Sequence, residues 1–210
     1  NLAAMGVEPK YAQISIVLPE GMREIKLKML MDEMCEFARV RKISITGGNT
    51  MVSAGVVNPV VTVSVTGIAT KDEPCNYKYK EEVKPGYDIV MINAAALEAT
   101  VLLAYEKEEE LKSRFTSTYI DSAKDFIEYF SVEKAAYIGT KCGVKAMHDM
   151  SDSGVFGALW ELGEAGNCGM EINLKKINMR QETIEITNYL GINPYIIPST
   201  GSLLMVTSDG

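Results

Sequence analysis

The first clear pattern along the chain is "AQISIVL" at residues 12–18, a strand-like run closed by Pro19, Glu20 and Gly21. Leu27, Leu30, Met31, Met34 and Ala38 then recur at spacings of three and four, which predicts one apolar helix face over residues 22–40. "KISIT" at 42–46 predicts a short strand ending in a Gly47-Gly48-Asn49-Thr50 loop, where glycines let the backbone bend sharply. After Pro59, Val61, Val63 and Val65 alternate with Thr62, Ser64 and Thr66. Period two predicts a strand, and β-branched threonines suit a second face that need not be fully solvent-exposed. A sheet or barrel shared between subunits would use such a strand.

Residues 71–88, "KDEPCNYKYKEEVKPGYD", are polar and punctuated by proline and glycine. The domain boundary is expected within them, giving domains of 1–80 and 81–210. "DIVMI" predicts a strand, and the Ala/Leu-rich run 94–110 a helix with Glu108→Lys112 and Glu110→Arg114 as i,i+4 pairs. The acidic stretch in that run reads as a solvated helix face. Further helices are predicted over 122–129, 133–140, 155–165 and 181–189, with Val155, Leu159 and Leu162 on one face of the third. Strands lead into His148 and cover "SLLMVT" near the end. Strands and helices mix without a strict βαβ rhythm, so the expected fold class is α+β in two units.

Composition narrows the function classes. Hydrophobic residues make up 47% and charged residues 23%, enough apolar material for a core. The net charge of −7 speaks against a nucleic-acid-binding surface, which needs a concentrated basic field. The one tight basic group, Arg39, Arg41 and Lys42, follows a predicted helix, where cations complement the negative end of the dipole. Four cysteines at 35, 75, 142 and 168 form no C-x-x-C, so zinc-knuckle and thioredoxin-type sites lack support. Cys35, inside a helical pattern, is expected as a small buried apolar residue. No apolar run reaches membrane-spanning length and no signal peptide is visible, so a cytoplasmic protein is expected, with no membrane partner. The chain opens "NLAAMG" and stops at "VTSDG" directly after a strand-like run, which reads as a piece of something longer.

Gly163, Gly166 and Gly169 are spaced G-x-x-G-x-x-G but end a helix where a dinucleotide fingerprint must open one; Gly163 and Gly166 are expected as helix stops. No G-x-x-x-x-G-K-[ST] occurs, so a P-loop kinase is excluded. The 148–154 turn carries two readings. Asp149, Asp152 and Ser153 sit where short polar side chains cap a helix. Free N–H groups, Gly154 and a nearby carboxylate and imidazole equally make an anion or Mg-phosphate corner. Gly47-Gly48-Asn49-Thr50 is either simple turn punctuation or a loop that lets phosphate or metal approach the backbone. With one histidine and no cysteine pair, nothing supplies a transition-metal site.

Several segments in order resemble one superfamily, that of aminoimidazole ribonucleotide (AIR) synthase, HypE, selenophosphate synthetase and thiamine-monophosphate kinase. "NLAAMGVEP" resembles its N-D-L-A-x-x-G-A-x-P helix, "ITGGNT" its G-G-D-T turn and "PVVTVSVTGIA" its following barrel strand. "VKPGYDIVMI" resembles the start of its second domain. "AMHDMSDSGVFGALWELGEA" resembles the H-D-x-T-x-G-G-x-x-x-A-L-x-E signature, and "INPYIIPSTGSLLMVT" the N-P-x-x-x-x-S-S-G segment. The likeness is strongest to HypE-like, AIR synthase-related proteins.

The resemblance implies a two-domain α+β fold, with strands of both N-terminal domains building a dimeric β-barrel. It implies an ATP-dependent, Mg²⁺-assisted homodimeric enzyme that phosphorylates an amide-like or carbamoyl oxygen, in hydrogenase maturation with a maturation-protein partner. On this sequence its catalytic residues are His148 and Asp149; its nucleotide-binding residues are Gly47, Gly48, Thr50, Ser153 and Gly154; its metal ligands are Asn1 and Asn49. The family's N-terminal ATP segment would precede Asn1, and its modified C-terminal cysteine would follow Gly210. Departures are plain. Asn1 and Asn49 stand where the family has Asp, and the K-x-x-G-L-E-G-T turn is "NAAALEAT", with Asn93, Ala96 and Ala99 for a lysine and two glycines. These changes favour an alternative, a non-catalytic dimeric relative acting as a regulatory or partner-binding scaffold.

Overall fold

The computed structural model describes residues 1–69 and 83–208. The segment of the expected domain boundary lies largely outside the described residues, and Cys75 lies wholly outside them. The chain divides into two compact units, one built on residues 7–69 and the other on residues 83–208 with Asn1 and Ala3–Gly6.

In the first unit, strand β1 (Pro9–Pro19) alternates strictly: Ala12, Ile14, Ile16 and Leu18 are buried while Gln13 and Ser15 are exposed. Helix α1 (Glu24–Val40) carries the chain to β2 (Ser44–Ser53), parallel to β1, and β3 (Val60–Gly67) returns antiparallel on the other edge. The sheet order is β2-β1-β3. Parallel neighbours require such a crossover helix. Leu27, Met31 and Met34 of α1 pack on Ile14, Ile16 and Leu18. Burying one such side chain is worth about 1.5–3 kcal/mol. Cys35 departs from its expected burial: one position round the helix from Met34, it is exposed. Register puts Val61, Val63 and Val65 on the Ile14–Ile16 face, yet they remain 37%, 50% and 40% exposed. Arg39 pairs with Glu36 at 2.6 Å and Arg41 lies 3.8 Å over Phe37, so the basic group is a solvated helix end.

The second unit holds β4 (Asp88–Ile92), α2 (Leu97–Glu106), α3 (Glu108–Leu111), α4 (Ser117–Lys124), α5 (Glu133–Cys142), β5 (Ala146–Asp149), α6 (Gly154–Gly166), α7 (Gln181–Leu190) and β6 (Leu203–Thr207). Short 3-10 turns occupy Asp125–Tyr129 and Leu174–Lys176. Central β6 pairs antiparallel with β4 on one side and β5 on the other. Its four consecutive apolar residues are all buried because both faces are covered. Leu204 and Val206 join Val155, Ala158, Leu159 and Leu162 of α6, while Leu203 and Met205 join Ala136 of α5 and Met147 of β5.

Several boundaries move. The helix expected over 94–110 begins at Leu97 and breaks at Lys107. The one expected over 122–129 begins at Ser117, where Thr116 Oγ1 accepts the Tyr119 N–H at 3.3 Å, and tightens to 3-10 geometry at Asp125. Glu108 meets Lys112 at 3.0 Å and Lys124 at 2.9 Å, and these two ammonium groups hold its carboxyl below the usual range. Glu110 pairs with Lys107 at 3.8 Å. The stop of α6 is not a glycine but Asn167, left-handed at φ 50°, and Cys168 N–H closes the last turn on the Gly163 carbonyl at 3.1 Å.

Candidate functional site

The site is built from the end of β5. Lys145 N–H donates to the Val206 carbonyl (2.7 Å) and Met150 N–H to the Ser202 carbonyl (3.0 Å), fixing β5 to β6 beyond both ends. His148 pairs in register with Leu204, Asp149 with Leu203. The chain then turns, with Gly154 N–H and Ser199 N–H both donating to the Ser151 carbonyl at 3.1 Å. Gly154 sits at φ +65°, and a Cβ there would lie 2.7 Å from the carbonyl oxygens of both Tyr195 and Ile197. Only glycine meets both demands.

Ser153 occupies the N-cap of α6, but its side chain accepts no capping bond. The amides instead find backbone partners: Phe156 N–H reaches the Tyr195 carbonyl at 3.1 Å, and the Phe156 ring stacks on Tyr195 at 4.8 Å. Capping by a polar side chain, one expected role of this turn, is thus replaced by docking of residues 195–197.

His148 Nε2 lies 2.7 Å from Glu161 Oε2 on the second turn of α6. Asp149 Oδ2 lies 3.4 Å from the backbone nitrogen of Asn1. His148 and Asp149 side chains are each 22% exposed and Glu161 is 48% exposed, so these groups sit at the solvent boundary. The strand end thus carries two pairs on opposite faces, His148 with Glu161 on the α6 side and Asp149 with the Asn1 nitrogen on the side of Ala4. Glu161 was not among the residues chosen from sequence, although it is the last position of the H-D…E signature.

The "NAAALEAT" turn packs against the same returning segment. Asn93 and Ala96 are left-handed, at φ 64° and φ 57°. Ala95 N–H donates to the Asn178 carbonyl (2.9 Å), Ala96 N–H to Ser199 Oγ (2.8 Å) and Ala99 N–H to the Pro198 carbonyl (3.1 Å). Asn93 Nδ2 donates to the Gly201 carbonyl at 2.7 Å. Amides that could face an anion are committed inside the protein.

Gly47, Gly48, Asn49 and Thr50 belong to the other unit and form no loop. They lie inside β2, paired with Gln13, Ser15 and their neighbours, beyond a bulge at which Thr46 Oγ1 donates to the Ala12 carbonyl at 3.2 Å. The strand continues through the glycines because β1 supplies partners for their amides. Gly48 must be glycine, since a Cβ there would overlap the Ile14 carbonyl. Register places Asn49 on the face of Ser15 and Thr62, all uncharged. Mg²⁺ is a hard cation that favours carboxylates. Among the described residues no cluster of three or more acidic, histidine or cysteine side chains could hold a metal. Asn1 and Asn49 would each offer Mg²⁺ a neutral carbonyl oxygen in place of a carboxylate. A cleft of about 1090 Å³ between β4, β6 and α6, floored by Ile89, Met91, Leu159 and Leu162, contains none of the residues chosen from sequence.

Residues 1–69 match the family model "AIR synthase related protein, N-terminal domain", and residues 84–210 the corresponding C-terminal domain. A hydrogenase expression/formation protein of Methanocaldococcus jannaschii is 24% identical over 208 residues, 98% of this chain and 58% of its own length. Carbamoyl dehydratase HypE of Rhodobacter capsulatus is 25% identical over all of this chain and 59% of its own. Thiamine-monophosphate kinase of Bacillus subtilis is 29% identical over 82% and 51%. This chain therefore spans just over half the length of these relatives. Among solved structures, Escherichia coli HypE, described as a hydrogenase maturation protein, superposes with a TM-score of 0.80 at 19% identity, covering 98% of this chain and 61% of that one. HypE in complex with ATP gives 0.75 at 18% identity over 99% and 59%, and a HypE–HypF complex 0.77 at 18% over 97% and 64%. With model matches covering nearly all its residues, and a fold shared with HypE, the chain belongs to the AIR synthase related family and is HypE-like.

Proposed function

We propose that the protein is an ATP-using enzyme of the AIR synthase kind that transfers the γ-phosphoryl group to a carbamoyl or amide-like oxygen. The observation that carries this reading is the pairing of His148 with Glu161, and of Asp149 with the Asn1 nitrogen, at the end of β5, all from segments that resemble family motifs. Family membership and a HypE relative crystallised with ATP support it. In the reaction the substrate oxygen attacks the γ-phosphorus, the bond to ADP breaks, and the phosphorylated oxygen becomes a leaving group. Positioning supplies most of such catalysis. Gly47, Gly48, Thr50, Ser153 and Gly154 are the proposed nucleotide-binding residues. A homodimer in the cytoplasm, with domains 1–80 and 81–210, completes the proposal. The exposed Val60, Val61, Val63 and Val65 of β3 give a second copy, closing a barrel, apolar surface to cover. A maturation protein as partner follows from the HypE likeness, one HypE having been crystallised with HypF.

One observation favours the alternative, a non-catalytic scaffold: the amides of the "NAAALEAT" turn are already bonded internally. Calorimetric titration with a non-hydrolysable ATP analogue, with and without Mg²⁺, separates the two. Saturable binding is expected, strengthened little by Mg²⁺ because Asn49 is uncharged. Asn49→Asp should increase the Mg²⁺ dependence. A folded dimer that binds no nucleotide sinks the enzyme reading and leaves the scaffold.

A further inference from the structure

We infer that Glu161 is the positioning residue of His148: it holds the ring through Nε2 and leaves Nδ1 as the atom that accepts a proton. This rests on the nucleotide-site reading above. A carboxylate only accepts hydrogen bonds, so at 2.7 Å from Glu161 Oε2 the Nε2 atom must be the donor. A neutral ring protonated at Nε2 carries its free lone pair on Nδ1.

Both partners stand on rigid elements. His148 lies in β5, tied to β6 by backbone bonds from Lys145 and Met150 on either side. Glu161 lies on α6 between Ala158 and Leu162, two of the buried residues that pin the helix to the sheet. The carboxylate thus emerges at the edge of a buried stripe and reaches back toward the strand end. The charged group beside the ring is Glu161 from α6; Asp149, the next residue of the strand, points to the opposite face, and Leu204 of β6, opposite in register, is apolar. In the reaction a substrate N–H or O–H gives its proton to Nδ1, and the imidazolium so formed is stabilised by the Glu161 carboxylate. The proton then leaves from Nδ1 to solvent or product.

His148 is the chain's only histidine, so its two ring nitrogens are assigned without ambiguity in a long-range ¹H–¹⁵N spectrum of the ¹⁵N-labelled protein. The expected result, for the neutral ring, is a protonated Nε2 and an unprotonated Nδ1. Glu161→Gln, with an unchanged melting temperature, should shift the tautomer balance of the ring toward Nδ1–H in the same spectrum, because an amide no longer imposes the donor role on Nε2. Glu161→Asp, which keeps the charge but shortens the reach, should fall between. A proton on Nδ1 in the unaltered protein, or an unchanged tautomer balance in Glu161→Gln, overturns the inference. If neither variant folds, the spectrum of the unaltered protein still decides by the tautomer. The nucleotide titration is read separately. Failure to bind, with the expected tautomer, defeats the nucleotide reading and leaves the His148–Glu161 pairing; binding with an Nδ1-protonated ring does the reverse.

Discussion

Gly154 and Ala96 hold the same left-handed backbone, at φ 65° and φ 57°, and both dock on the segment 195–201. Yet one is glycine and the other is not. At Gly154 the docking partner approaches so closely that a Cβ would strike two carbonyl oxygens. At Ala96 the partner is met by the amide, through Ser199 Oγ, and the methyl group is accommodated in the core. A left-handed residue costs an alanine about 1–2 kcal/mol, which a well-packed fold can absorb. A collision with backbone cannot be absorbed so easily. The two turns separate the two reasons for glycine, conformational freedom and space.

Substitutions break or sharpen that contrast. The largest effect is expected at Gly154→Ala, which combines positive φ with overlap of the Tyr195 and Ile197 carbonyls. Thermal or chemical unfolding should show a loss of about 3 kcal/mol or more. A loss below 1 kcal/mol would mean that the 195–197 segment yields, and the space argument fails. Next comes Ser199→Ala. Buried Ser199 Oγ accepts from Ala96 N–H, and removing it strands that amide at a cost of about 2 kcal/mol in the same assay. Ala96→Gly should act in the opposite direction, a gain of about 0.5–1 kcal/mol as left-handed strain outweighs the entropy lost by glycine. Destabilisation by this change would show that the Ala96 methyl contributes packing that its backbone strain conceals.

The smallest effect is a control outside both turns. Among the described residues the buried Tyr119 hydroxyl has no hydrogen-bond partner, so Tyr119→Phe should change stability at neutral pH by less than about 0.5 kcal/mol. Burial, then Glu182 and Glu185, push its phenol above its usual range. The unfolded chain then releases this proton before the folded one does. Stability is fully present below the unfolded value, about 10, and falls as pH rises from there toward the folded value. Tyr119→Phe should flatten that alkaline decline in melting temperature, and an unchanged slope would remove Tyr119 from its cause.

Much of the fold is legible in local spacing. The three-and-four recurrence of Leu27, Met31 and Met34 gives α1 and its buried face, and the strict alternation from Ala12 to Leu18 gives β1. Neither pattern needs a distant residue for its meaning, because side-chain direction in a helix or strand follows from the backbone repeat itself. The motif order likewise pointed to the AIR synthase related family. Cys35 shows the limit: apolar character put it in the core, while its angle beside Met34 put it in solvent.

Other features existed only once distant segments met. The Gly47–Thr50 run reads as a loop by composition but is strand, because β1 lies alongside and pairs its amides. Ala96 reads as an ordinary helix former but is held left-handed by Ser199, a hundred residues away in the chain. Glu161 is one of two acidic residues on α6 until β5 brings His148 to 2.7 Å. Sequence spacing determined which residues face inward along each element. Tertiary contact decided which backbone groups were satisfied and which side chains became partners, because a hydrogen bond depends on the position of both its ends and local sequence specifies only one.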